Sequence, residues 1–410
     1  MSNVNRILED IEKLKNISEK CESGTTRIGF TSEYRQGVDY FKSRMMQAGL
    51  TVREDAIGNI YGRLEGEDKT LPVILSGSHL DTVRCAGAYD GICGAVCALE
   101  VARMLKENGI SLRHSYEVIG TIEEEGTRFG QVLLGSKFIT GDFSQKDLNS
   151  IIDSDGASLR EVRSKYSNQE FSNTIKKDEE IAAFIELHDE QGPVLESKGI
   201  DIGIVNSIVA ISWMTITVEG FAGHAGTVPM PLRQDALTAS AEMIHRISDY
   251  TTTNYPYTAT ATIGKIEVLP GSSNCIPSKS TFTIDLRSGL MQNIDFLTAY
   301  IKELSDEIAK KYGVNISVQV NSRQCPVNMN TKLQEVLKDS CKELDYSYMD
   351  LNSGAGHDSM IMAKHYPTAM LFIPCVKGIT HNPQEYVNTE FLEKGTNVLY
   401  KAIIELDKKL

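Results

Sequence analysis

The sequence predicts an α/β protein, a mixed sheet flanked by helices, interrupted by a smaller antiparallel α+β unit. Three observations predict it. Up to about residue 210, short apolar runs that end in polar or acidic residues alternate with helical segments. Beyond that point the strings WMTITVEG, YTATATIGKIEVLP, KSTFTIDLRSG and VNISVQVNS alternate apolar and polar residues, with two helices interleaved. After Pro326 a helix, an apolar strand and a last helix return. Residues 1–211 and 328–410 are therefore expected to form one domain in two segments, with residues 212–327 inserted between them.

The elements follow in order. MSNVNRILEDIEKLKN reads as a charged amphipathic helix without the apolar stretch of a signal peptide. Residues 34–49 have helical spacing through Phe41, Met45 and Met46 and stop at Gly49. TVREDAIGNIYGRLEG is a strand pair that turns at Gly58 and Asn59, and LPVILSGSH is an apolar strand ending on His79. Residues 92–106 form a helix of small residues, and SYEVIGTIEEEG is a strand running into acidic side chains. A sheet of this kind carries its chemistry at the carboxyl edge. In the insertion, helices are expected over residues 233–248 and 292–311. KLQEVLKDSCKEL, TAMLFIPC and TEFLEKGTNVLYKAIIELDKK then read as helix, strand and helix.

Composition narrows the function. Lys and Arg number 42 against 55 Asp and Glu, a net charge of −13, and no basic block occurs, which argues against a nucleic-acid partner. No run of 18 apolar residues is present, so no membrane span is expected. The eight cysteines form no CxxC pair and read as reduced thiols of a cytosolic protein.

The chemistry-bearing residues gather at strand ends. His79 lies in SGSHLDT with Asp81 two positions on, and Asp90 follows in AYDG. Glu123, Glu124 and Glu125 close a strand before Gly126, His188 sits between Glu186 and Glu190 in ELHDEQG, and His381 follows the last apolar strand in GITHNP. Imidazoles and carboxylates together suit a borderline divalent ion. A carboxylate bridging two ions holds them about 3.5–4 Å apart, the spacing of two-metal hydrolysis. A single strand-end histidine or acidic edge is ordinary. Three like charges closing an apolar strand repel one another, and a nearby cation removes that cost. The extra acid leaves two registers open, with base and ligand at Glu123 and Glu124 or at Glu124 and Glu125. His114 and His245 read as surface groups, and His365 precedes the turn into a buried strand.

The strings GSHLDTV, YDG, EEEGTRFG, ELHDEQGPVLE, HAGTVPM, DLR, SGAGHDS and GITHNP resemble the hydantoinase/carbamoylase family of amidases, within the dinuclear-metal peptidase and amidase superfamily. The resemblance runs from TTRIGF to the last helix. It implies a metallopeptidase-like catalytic domain and a ferredoxin-like inserted domain that pairs two subunits into a homodimer. It also implies two divalent ions per subunit (Mn²⁺, Zn²⁺, Co²⁺ or Ni²⁺). By this resemblance His79, Asp90 and His188 hold one ion, and Asp90, Glu125 and His381 the other. Glu124 is the general base, because the family's acidic pair directly precedes the glycine, and Asp81 orients His79. His224 binds substrate and the developing oxyanion. Asn274 and Arg287 bind substrate, Arg287 through a carboxylate, and His357 supports the site.

The implied reaction is metal-assisted hydrolysis of a ureido amide, with no serine or cysteine nucleophile and no GxSxG elbow. Within the family, N-carbamoyl-L-amino acids, N-carbamoyl-β-alanine and allantoate are alternative substrates. Allantoate enzymes commonly carry glutamine and arginine where this chain reads NSIVAISWM, with Ile211 and Trp213. This apolar edge favours a carbamoyl amino acid. A dipeptidase or aminoacylase is the second class of reading, and the HDEQG string speaks against it.

Overall fold

The computed structural model describes residues 2–166 and 181–410. Four apolar runs, Val73–His79 (β1), Tyr116–Thr121 (β2), Ile181–Asp189 (β3) and Thr368–Ile373 (β4), lie parallel in the order β2–β1–β3–β4. Helices cover both faces, so these strands are buried on both sides and read as continuous apolar segments rather than alternating ones. The register places His79 beside Thr121 and His188 beside Phe372, which brings the carboxyl ends of all four strands to one edge. Antiparallel strands extend the sheet outward, Ile60–Leu64 and then Thr51–Glu54 next to β2, and Ile202–Ile208 next to β4. Among the described residues this sheet has nine strands.

The crossover helix Ile92–Glu107 (α1) shows why a small-residue sequence was needed. Every residue from Ile92 to Leu105 is buried. A side chain at Gly94 would begin 2.1 Å from the Leu187 carbonyl oxygen, so glycine lets the helix lie directly on β3. The last helix, Thr389–Lys409 (α2), packs on the same layer through Leu392, Val398, Leu399, Ala402 and Ile403.

The chain divides into two units. Met1–Asn206, Asn328–Leu351 and Ala355–Leu410 form the first, and Ser207–Val327 with Asn352–Gly354 form the second. In the second unit, Ala210–Glu219, Lys279–Ser288 and Asn315–Gln324 form an antiparallel sheet. Ala259–Thr262 and Ile266–Leu269 both pair with Lys279–Ser288. Helices Ala236–Asn254 and Met291–Tyr312 pack on one face of it, around Met243, Phe282, Ile284 and Ile301. The β-α-β-β-α-β order, with the first and third strands adjacent at the centre, is the ferredoxin-like arrangement.

Two expectations change. The strand expected over residues 257–270 is two short strands separated at Gly264, where the chain shifts along its partner. His114 is buried rather than on the surface, with Nδ1 donating to the Pro72 carbonyl at 2.7 Å and its backbone N–H donating to Asp407. Its basic neighbour Arg113 suggested solvent, but the strand that begins at Tyr116 carries His114 inward.

Candidate metal centre

The carboxyl edge of the parallel strands gathers the predicted side chains. His79 ends β1, and His188 is the penultimate residue of β3. The three glutamates lie in the turn just beyond β2, and His381 in the loop beyond β4. Asp90 precedes α1. Gly91 follows it at φ 68°, and a Cβ there would stand 2.4 Å from the His79 ring, so only glycine lets the chain pass.

Ligand-type atoms of His79, Asp90 and His188 fall within 4.8 Å of one another, and so do those of Asp90, Glu125 and His381. Asp90 is common to both triads and turns one oxygen to each. Its Oδ1 is 3.3 Å from Nε2 of both His79 and His188, and its Oδ2 is 3.1 Å from Nε2 of His381. Glu125 Oε1 completes the second group at 3.3 Å from the same His381 nitrogen.

The hydrogen bonds test whether divalent ions fit. His79 Nδ1 lies 2.9 Å from the Asp81 carbonyl, which can only accept, so Nδ1 carries the proton and Nε2 the lone pair. His188 Nδ1 donates likewise to the Asp189 carbonyl at 3.0 Å, while its Nε2 accepts from the Gly91 N–H at 3.2 Å. Two imidazole lone pairs thus face the same carboxylate oxygen, an arrangement that repels unless a cation lies between them. The donor set, imidazole nitrogen with carboxylate oxygen, is that of zinc and its neighbours. The residues fit divalent ions.

The acidic turn resolves into three different environments. Glu123 sits at φ 55°, its carboxylate turned inward to accept from the Arg128 N–H at 2.9 Å, and burial pushes it up to about 8. Glu124 and Glu125 instead meet His79. Burial pushes Glu124 well above the usual carboxylate range, with His79 opposing and the charge of Glu125 adding to the shift. Asp81 differs from the expectation for its carboxylate. That group accepts from the backbone N–H groups of Glu124 and Glu125, at 3.2 Å each, and lies 4.0 Å from His79 Nδ1. Asp81 therefore holds His79 through its backbone carbonyl and fixes the acidic turn with its side chain.

His357 is buried against His188, ring centroids 4.5 Å apart, and against Phe372. Burial first, then the neighbouring His188, holds its pKa well below the ordinary value, so it stays neutral. Next to it, Asp358 accepts a short hydrogen bond from Thr121 at the end of β2.

Sequence reasoning missed a further shell around Asp90. Gln191 Nε2 donates to Asp90 Oδ2 at 3.0 Å, and the Thr380 hydroxyl lies 3.2 Å from the same oxygen. Glu385 accepts from the Tyr89 and Asp90 N–H groups at 2.8 and 3.2 Å. Gln191 and Glu385 lie within or beside the strings that carried the resemblance, but nothing in their spacing marks them as partners of a residue so far away in sequence.

The other candidates lie in the second unit. His224 is exposed, and its Nδ1 accepts from the Gly226 N–H at 3.1 Å, which leaves the proton on Nε2 as an outward donor. It pairs with Cys275, and Asn274 beside it accepts the Ala225 N–H at 3.0 Å. Arg287 stands opposite Ile211, and Asp285 opposite Trp213, on the helix-free face of the sheet. Arg287 is already engaged. Its Nε and Nη2 donate to Asp285 at 3.1 and 2.9 Å and its Nη1 to the Gly354 carbonyl at 2.7 Å. One N–H on each terminal nitrogen remains among the described residues, enough for an end-on pair of bonds.

Known proteins similar to this chain match it over nearly its whole length. The model of Peptidase family M20/M25/M40 matches residues 75–405. The chain is 38% identical over 405 residues to an N-carbamoyl-L-amino-acid amidohydrolase of Paenarthrobacter aurescens, covering 98% of each. It is 36% identical over 401 residues to an allantoate amidohydrolase of Escherichia coli (strain K12), covering 98% of this chain and 97% of the relative. A hydantoinase/carbamoylase family amidase from Burkholderia ambifaria superposes with a TM-score of 0.92 at 32% identity, covering 98% of this chain and 97% of that one. With the fold, the strand-end cluster and these matches spanning nearly its whole length, the chain belongs to peptidase family M20/M25/M40 and, within it, to the hydantoinase/carbamoylase amidases.

Proposed function

We propose that the protein hydrolyses the ureido C–N bond of N-carbamoyl-L-amino acids, using two divalent ions held by His79, Asp90 and His188 and by Asp90, Glu125 and His381. The coarser statement, a hydrolase of linear amides, follows from the family. The observation that carries the ligand reading is Asp90, whose Oδ1 faces the imidazoles of His79 and His188 and whose Oδ2 faces that of His381.

When bound, the ions supply Lewis acidity, which acidifies a water molecule and polarises the scissile carbonyl. Glu124 is the base. Its raised proton affinity and its place beside His79 suit it to take the water's proton and return it to the leaving α-nitrogen. His224 Nε2–H is a donor suited to the developing oxyanion. Water adds to the ureido carbonyl, and the bond to the α-nitrogen breaks. The amino acid leaves with carbamic acid, which decomposes to carbon dioxide and ammonia.

The substrate choice rests on one row of the second unit's sheet, where Arg287 and Ile211 are cross-strand neighbours. A guanidinium beside an aliphatic side chain suits an α-carboxylate with an apolar side chain near it. Allantoate would set its second ureido arm against Ile211 and Trp213, where it loses hydrogen bonds. Ammonia release from a panel of N-carbamoyl-L-amino acids, N-carbamoyl-β-alanine, allantoate and dipeptides, with Mn²⁺ added, tests this. An apolar N-carbamoyl-L-amino acid is expected to be turned over fastest, and tenfold greater efficiency on allantoate than on every carbamoyl amino acid would overturn the choice. Arg287→Ala should cut kcat/KM by more than about 30-fold, since losing a desolvated Arg–carboxylate pair costs about 2–5 kcal/mol. Phe221, Met230 and Leu232 are all exposed in the second unit, and we propose that this unit forms a homodimer. Sedimentation at the mass of a 45.3 kDa monomer with full activity would remove that reading.

A further inference from the structure

We infer that Asp189 is a positioning residue for the ion held by His79, Asp90 and His188, acting through the His188 ring; the inference rests on the reading of His188 as a ligand.

Asp189 ends β3 and is fully buried. Neither of its carboxylate oxygens has a hydrogen-bond partner among the described residues. Its Oδ1 lies 3.1 Å from His188 Nδ1, outside the geometry of a hydrogen bond, because that N–H serves the Asp189 carbonyl at 3.0 Å. The carboxylate oxygen therefore lies against the Nδ1 edge of the ring, beside the carbonyl that the N–H already serves.

Two nearby carboxylates set the contrast. Glu385 accepts two backbone N–H groups and lies 3.0 Å from the Thr380 hydroxyl, and Glu186 accepts the Ser78 and Ser359 hydroxyls and the Ser359 N–H. Both are equipped to stabilise the fold by themselves. Asp189 is not. A buried carboxylate without donors is costly unless positive charge lies close by. The thiols of Cys93 and Cys375 do not supply it. Burial and then the charge of Asp189 hold both up, Cys375 to about 12, so they stay protonated and neutral.

The available route is the imidazole. A cation at His188 Nε2 draws electron density through the ring and makes the Nδ1 edge more positive. In return, a carboxylate at Nδ1 makes Nε2 a stronger ligand. The other two histidines lack this arrangement. The acid nearest His79 Nδ1 is 4.0 Å away, and among the described residues the acids near His381 meet its Nε2. The effect should therefore fall on one ion of the two.

The test strips the full-length chain of metal and titrates it with Co²⁺, following visible absorbance and calorimetry, for wild type, Asp189→Asn and Asp189→Leu. Two sites are expected in all three proteins. One should weaken about 10- to 100-fold in the variants, with a shifted Co²⁺ absorption band, and the other should keep its affinity. Without metal the variants should melt no lower than wild type, since the carboxyl they remove has no hydrogen bond to lose, and their gain in Tm on loading should be smaller. Unchanged affinity at both sites would overturn the inference, as would equal loss at both. Unfolded or destabilised metal-free variants would also overturn it, because Asp189 would then support the fold without any ion. Failure of wild type to bind Co²⁺ would instead sink the ligand reading of His188.

Discussion

The two triads that share Asp90 are built from different materials. In the deep one, His79 and His188 belong to parallel strands, are buried, and have Nδ1 fixed by a backbone carbonyl. In the open one, Glu125 stands in a turn and His381 in a loop, at φ 52° and with 48% of its side chain exposed. Ligands on strands are placed more precisely than ligands on loops. The deep triad is thus preformed and shielded, while the open one reaches solvent and owes its order to the Gln191 and Thr380 contacts on Asp90 Oδ2.

The largest expected effect probes the residue between them. Glu124→Gln should lower turnover by at least about 10²-fold, the range of general-base catalysis, with both ions still present by elemental analysis. Loss of an ion would make Glu124 a ligand of the deep triad and break the comparison. Next, His188→Ala should remove the deep ion and weaken its neighbour through Asp90, whereas His381→Ala should leave about one ion per chain. Equal metal content in the two variants would show the triads to be equivalent. Gly91→Ala should be milder, because a strained positive-φ residue costs about 1–3 kcal/mol and the new Cβ must displace the His79 ring. A lower Tm and weaker binding of the deep ion alone would sharpen the contrast. The smallest effect is kinetic. Chelator should remove the open ion before the deep one, seen as two phases of metal release, and a single phase would contradict the difference in exposure.

The same contrast explains what was legible in the sequence. Polar residues closing apolar strands announced His79, the acidic turn and His188, because strand ends in a parallel sheet point to a common edge. Backbone conformation separates Glu123 from Glu124 and Glu125. Glu123 adopts a positive φ that turns it inward, a property its side-chain type does not signal. Asp81 was legible as a partner of His79 but not in its manner, since a carbonyl and a carboxylate of the same residue look alike in a string. Asp189 was hidden by its neighbours. Between His188 and Glu190 it reads as one more acid, and only burial without donors sets it apart. The pairing of Arg287 with Asp285 follows from their spacing two apart on one strand, which puts both on the same face.

The hold of Glu385 on the Tyr89 backbone spans 296 positions of chain. The loop that carries Asp90 cannot be completed until the segment bearing residues 380–385 has left the ribosome, after the whole insertion has been made. Residues 1–379 therefore exist before the cluster can close. The cluster thus ties residues 79–90 to residues 380–385, and a truncation before His381 would cost it a member rather than a peripheral helix.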